Sequence, residues 1–69
     1  MIGEKIRIVL VKRNMTKSDL AKKLGWSPTN IYNKFKRDNF SEEDLRKIAE
    51  VLDCEFEASF VLKDTNERV

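Results

Sequence analysis

The chain has 69 residues, of which 41% are apolar and 38% charged, with a formal net charge of +2. That length holds one domain with a modest core, and no run approaches the roughly 20 apolar residues of a membrane span. A single cysteine and no histidine exclude an internal disulfide, argue against a zinc site and remove the commonest general base.

No Ser/His/Asp or Cys/His arrangement and no Gly-rich phosphate loop can be assembled, so the chain is not expected to be an enzyme. No cofactor, metal or small-molecule ligand is expected. Ile6 to Val11 is apolar but too short, and too close to charges, for a signal peptide or anchor. A cytoplasmic, nucleoid-associated location is the expectation.

A first helix is predicted from about Gly3 to Lys12 or Arg13. Ile2, Ile6, Val9 and Leu10 form a stripe at helical spacing and are assigned to the core. Ile8 and Val11 lie off that stripe; they either pack on the C-terminal segment or stay partly exposed. Asn14 can end the helix because it tolerates the left-handed conformation. Met15 follows, beneath the turn.

Thr16-Lys17-Ser18-Asp19 reads as a capping box in its acidic form and starts a second helix. Leu20, Ala21 and Leu24 are its apolar face. Ala21 is small enough for a close helix crossing, and Gly25 can adopt the positive φ that ends the helix. Ser27 caps a third helix and Pro28 suits its first position. That helix is predicted over Pro28 to Lys36, with Ile31 and Phe35 facing inward. Trp26 in the turn is assigned to half-burial. Two short helices joined this tightly, with Ile31 reaching back into the angle between them, have the helix-turn-helix geometry that places a second helix in the DNA major groove. The plainer alternative is a small helical bundle whose Ala and Gly serve packing alone.

Asp38-Asn39-Phe40 is a connecting loop, with Phe40 turned inward. Ser41 caps a fourth helix, opened by Glu42, Glu43 and Asp44 and closed over the core by Leu45, Ile48, Ala49 and Leu52. From Cys54 to Leu62 the period changes to two. Phe56, Ala58, Phe60 and Leu62 share one side, the pattern of a strand with one apolar face. No second strand of similar strength exists, so this strand is expected either to pair across a two-fold axis in a homodimer or to pack singly on the first helix. Cys54 is read as a small buried hydrophobe. The expected organisation is therefore residues 1–53 as the helical domain, 54–63 as a dimerisation strand and 64–69 as a frayed tail.

Charge is unevenly placed. Residues 1–40 hold ten Lys and Arg against three acids, a net +7; residues 41–69 hold four against nine, a net −5. The basic half contains the two-helix unit, as expected if one face meets phosphates.

The spacing T-x-x-x-L-A-x-x-L-G-x-S-x-x-x-I, here Thr16, Leu20, Ala21, Leu24, Gly25, Ser27 and Ile31, resembles that of the phage-repressor/Cro-like DNA-binding domains, the XRE family. The resemblance covers about Ile6 to Leu52. It implies a mostly α, lambda-repressor-like helix-turn-helix bundle of four to five helices, here followed by a C-terminal β-strand. It also implies that Ser27, Pro28, Thr29, Tyr32 and Asn33 reach base edges. Thr29 can bond a base or touch a thymine methyl, Asn33 can pair bidentately with adenine, and Tyr32 can offer its ring and hydroxyl.

Lys17, with the first-turn amides, is a candidate phosphate contact, although Asp19 competes for the same donors. Lys34, Lys36 and Arg37 form a second candidate phosphate cluster. Two positions depart from the family pattern. Lys17 stands where Gln is common, and Lys34 stands where an apolar residue is usual. Either the last turn of the third helix is rotated or Phe35 replaces that anchor.

The resulting expectation is a DNA-binding transcriptional regulator, a repressor rather than an activator, reading an inverted repeat in double-stranded DNA as a homodimer. The competing reading is a protein-interaction module of the same fold, such as an antitoxin or anti-repressor.

Overall fold

Helices two to four of this chain start and stop at local signals that the neighbouring residues supply. The structure, a computed structural model, describes residues 2–69. It contains α1 (Ile2–Lys12), α2 (Lys17–Leu24), α3 (Pro28–Arg37) and α4 (Glu42–Val51). Three starts are capped by hydroxyls. The Thr16 side chain accepts from the Asp19 N–H, that of Ser27 from Asn30, and that of Ser41 from Asp44. At Thr16 and Ser41 the aspartate returns a bond to the cap's own N–H, at 3.0 Å in both cases. Losing such a cap costs about 1 kcal/mol.

The four ends share one geometry. Asn14, Gly25, Asp38 and Asp53 all sit in the left-handed region, with φ between 51° and 74°. In each case the next residue's N–H reaches back five residues. Met15 donates to Leu10, Trp26 to Ala21, Asn39 to Lys34 and Cys54 to Ala49, at 2.8 to 3.0 Å. Only one of these ends uses glycine. Gly25 has open space around it, so its requirement is the positive φ and not a close contact.

The core draws on all four helices: Ile6 and Leu10, Leu20 and Ala21, Ile31 and Phe35, and Ile48, with Leu52 just beyond α4. Burying each aliphatic side chain contributes about 1.5–3 kcal/mol. Met15, Trp26, Phe40 and Leu45 are half-buried around it. Phe35 is buried and meets Phe40 edge-on, with ring centroids 5.2 Å apart. Phe35 therefore takes the inward place that Lys34 cannot fill.

Two polar contacts fasten α1 at its ends. The Gly3 N–H donates to Asp38 Oδ1 at 2.7 Å. A Cβ on residue 3 would stand 2.8 Å from that oxygen, so any other residue there would have to displace the Asp38 carboxylate. At the other end, Arg13 donates from Nε to the Leu52 carbonyl at 2.8 Å and from Nη2 to that of Asp53 at 3.0 Å. These carbonyls belong to the end of α4, where a cation also complements the helix dipole.

The tail corrects the strand expectation. No strand extends over residues 54–62 among the described residues, and no fifth helix follows α4. Alternation alone supplies no partner for the backbone, and residues 54–59 run without a ladder. Instead, Phe60 and Val69 exchange N–H···O bonds at 2.9 and 2.8 Å, and Leu62 donates to Glu67, around a single bridge between Val61 and Arg68. The segment expected to fray thus folds back on residues 60–62. This small hairpin projects from the helices. The Cα radius of gyration is 13.7 Å, where a compact chain of this length has about 11 Å.

Of the four residues assigned to the strand's apolar face, only Phe56 is half-buried. Ala58 and Leu62 are exposed, and Phe60 is 81% exposed. Ile8 and Val11 find no cover from the tail either; Val11 is 79% exposed.

Candidate nucleic-acid interface

The outward side of α3 follows from its inward one. With Ile31 and Phe35 buried, the helical repeat turns Thr29, Tyr32, Asn33 and Lys36 to the opposite side, and all four are exposed. Ser27 and Pro28, also exposed, form the near end of this surface. The Ser27 oxygen already accepts the Asn30 N–H at 3.1 Å, so the hydroxyl is left with its proton to donate. Tyr32 stands free enough for Lys36 Nζ to lie 5.9 Å from its ring centre.

A shallow groove separates the start of α2 from α3. It is lined by Lys17, Ser18, Pro28, Thr29, Ile31 and Tyr32. It places a cation beside the side chains assigned to base contact. Lys17 Nζ also lies 4.6 Å from the Phe35 ring centre, and the Arg7 guanidinium approaches the same ring at 5.3 Å. Arg7 was not among the residues singled out in the sequence. Its placement near Phe35 depends on how α1 docks.

The capping box at the start of α2 settles where Asp19 goes. Its carboxylate accepts the Thr16 N–H, and hydrogen bonds from the Thr16 backbone and side chain hold its pKa below the usual carboxylate value. That carboxylate is therefore committed to the cap.

Acids and bases sort themselves in a way that bears on the basic face. On α4, Arg46 pairs with Glu42 at 3.7 Å and Lys47 with Glu43 at 3.3 Å. The third ion pair among the described residues joins Lys34 to Asp44. None of the three engages Lys17, Lys36 or Arg37, which stay exposed.

Lys34 is placed differently from its two neighbours. Its ammonium is 2.9 Å from Asp44 Oδ2 and lies 5.3 Å from the Trp26 ring centre. The two side chains of the pair are only 25% and 17% exposed. The same oxygen of Asp44 accepts the Ser41 N–H. Burial raises the Asp44 pKa, but the bonds from Lys34 and from Ser41 outweigh it, and the net direction is down. Nothing in the sequence announces this pair, because ten residues and a loop separate its members.

Away from α3, a second groove is lined by apolar side chains of α1 and α4, among them Ile2, Val9 and Leu45, with Phe56 at its edge. Arg46 lies 5.9 Å from the Phe56 ring centre. No group of three or more His, Cys, Asp or Glu residues is arranged to hold a metal ion among the described residues. None of their helices is long and apolar enough to cross a membrane.

Residues 5–58 match the family model for the Cro/C1-type HTH DNA-binding domain. No curated protein and no solved structure matches the chain.

Proposed function

Starting from the chain's membership of the Cro/C1-type helix-turn-helix DNA-binding domain family, we propose that it is a sequence-specific transcriptional repressor that lays α3 in the major groove. The observation that carries this reading is the surface of α3. Thr29, Tyr32 and Asn33 are exposed side by side, and Lys17, Lys36 and Arg37 flank them without acidic partners. Phosphate contacts from these cations supply most of the affinity and fix the register; Thr29, Tyr32 and Asn33 supply discrimination. Ser27 and Pro28 add a hydroxyl donor and a van der Waals surface at the start of the helix.

Repression is the simpler sign of regulation here, since occupancy of a promoter suffices for it. Two copies acting together would place two α3 helices about 34 Å apart, in successive major grooves, over an inverted repeat. The exposed side chains of Phe60 and Leu62 are the surface proposed to join the copies, in the cytoplasm where the nucleoid lies. A sedimentation mass of one chain at tens of micromolar would reject the dimer.

Selection of bound sequences from random duplex DNA tests the main reading. An enriched inverted repeat supports a two-fold dimer, and a single enriched half-site supports a monomer that still reads DNA. Absence of enrichment at low salt would favour a protein-interaction module of the same fold. The apolar hairpin, with Phe60, Val61 and Leu62 all exposed, is the feature that favours that second reading.

A further inference from the structure

Lys34 lies next to Asn33 in sequence, yet its ammonium is committed elsewhere. It is held between the Asp44 carboxylate, at 2.9 Å, and the face of Trp26, at 5.3 Å. These partners come from different places in the fold. Trp26 lies in the turn before α3, and Asp44 lies in the first turn of α4. Asp44 is itself fixed, because its Oδ2 closes the capping box with Ser41 and its own N–H donates to Ser41 Oγ at 3.0 Å. The turn before α3, α3 itself and the start of α4 therefore meet at one ammonium group.

A cation in that position has little left to offer a phosphate. Its side chain is largely withdrawn from solvent, and release would leave Asp44 with its charge partly buried and one partner short. Exposed surface pairs contribute little, but this one is screened less than the Arg46–Glu42 and Lys47–Glu43 pairs, whose side chains are more than half exposed.

We propose that Lys34 is a positioning residue, which with Asp44 and Trp26 fixes the orientation of α3, and is not itself a phosphate contact. The proposal rests on the DNA-binding reading above for its consequence but not for its geometry. Loss of the pair loosens the angle at which α3 is presented, so base contacts suffer. Contacts from Lys17, Lys36 and Arg37 to the backbone tolerate a small tilt, because long flexible side chains make them.

The test uses the full chain and Lys34→Met, Asp44→Asn and the double variant. Methionine keeps an unbranched stem but removes the charge beside Trp26; asparagine keeps an oxygen for the cap. Affinity is measured against salt concentration on the DNA enriched by selection and on random duplex. Lys34→Met is expected to lose about tenfold on the selected sequence and little on random DNA, with an unchanged salt slope. The double variant is expected to be no worse than the poorer single one. In the free protein, emission from Trp26, the sole tryptophan, should shift in both single variants.

Equal weakening on both DNAs, with the salt slope reduced by about one, would show Lys34 to be a phosphate contact and overturn the proposal. Additive losses in the double variant would overturn the pairing. If the unmodified protein binds no DNA at low salt, the functional reading fails, and Trp26 emission still decides the pair: no shift in either variant overturns it.

Discussion

Asp38 Oδ1 accepts the N–H of Gly3 at 2.7 Å, so the residue that ends α3 also caps α1. Asp38 adopts the left-handed conformation that closes its own helix, and this turns its carboxylate toward a chain segment 35 residues earlier. The orientation of the proposed recognition helix is thereby tied to α1 at one end, as Lys34 ties it to α4.

The left-handed helix ends separate this cap from simple backbone preference. Replacing Asp53 with glycine removes the left-handed penalty and an acid at a helix C-terminus, and should stabilise by about 0.5–1 kcal/mol. Replacing Asp38 with glycine brings the same backbone relief but deletes the acceptor for Gly3. Urea unfolding should find the Asp38→Gly chain less stable than the Asp53→Gly chain by about 1–2 kcal/mol. Equal stabilities would mean that the Gly3 bond contributes nothing.

Arg13 belongs to the basic half of the sequence, but its guanidinium is spent on the carbonyls of Leu52 and Asp53. Arg13→Ala should cost about 1–2 kcal/mol in unfolding experiments, the scale of charge-assisted bonds that are partly solvated. Its effect on the salt dependence of DNA binding should be nil. A flattened salt slope with unchanged stability would assign it to the DNA surface instead.

Acid should loosen the fold through Asp44 and Asp19. Both carboxyls lie below the ordinary value of 3.8 in the folded chain, Asp19 through its bonds to Thr16, and Asp44 through bonds from Lys34 and Ser41 that overcome burial. A depressed folded pKa contributes stability that is complete above the unfolded value and is lost as pH falls through the folded one. Stability should hold down to about pH 5 and then decline below pH 4. In Asp44→Asn that decline should be shallower, because one of the two groups no longer titrates. An identical acid profile for the variant would remove Asp44 from this account.

On the DNA side, Asn33 and Lys17 should fail differently. Asn33→Ala should cost about 1–3 kcal/mol on the selected sequence alone. Lys17→Ala should weaken selected and random duplexes alike and reduce the salt slope by about one. Competition binding at two salt concentrations distinguishes them. Uniform weakening by Asn33→Ala would take it out of base readout.

What the sequence made legible is what neighbours decide. The caps at Thr16, Ser27 and Ser41, the breaks at Asn14 and Gly25 and the inward pairs Ile31 and Phe35 all act within five residues. Helix boundaries consequently fall within one residue of the reading: α1 begins at Ile2 instead of Gly3, and α3 reaches Arg37 instead of Lys36. Asp38, Arg13 and Lys34 carried no such signal, since their partners become neighbours only after the helices dock. The tail misled for a related reason. Phe56, Ala58, Phe60 and Leu62 alternate as a strand does, but alternation describes side chains, and a strand is defined by what its backbone bonds to.

The two fastenings of α1 also set an order in time. The bonds from Gly3 and Arg13 close stretches of 35 and 39 residues, whereas α2 and α3 meet across a turn of three residues, Gly25 to Ser27. Closing the longer stretches costs more chain entropy and rewards the chain only once α3 and α4 are in place. Docking of α1 is therefore expected to follow the pairing of α2 with α3, although α1 precedes both in the sequence.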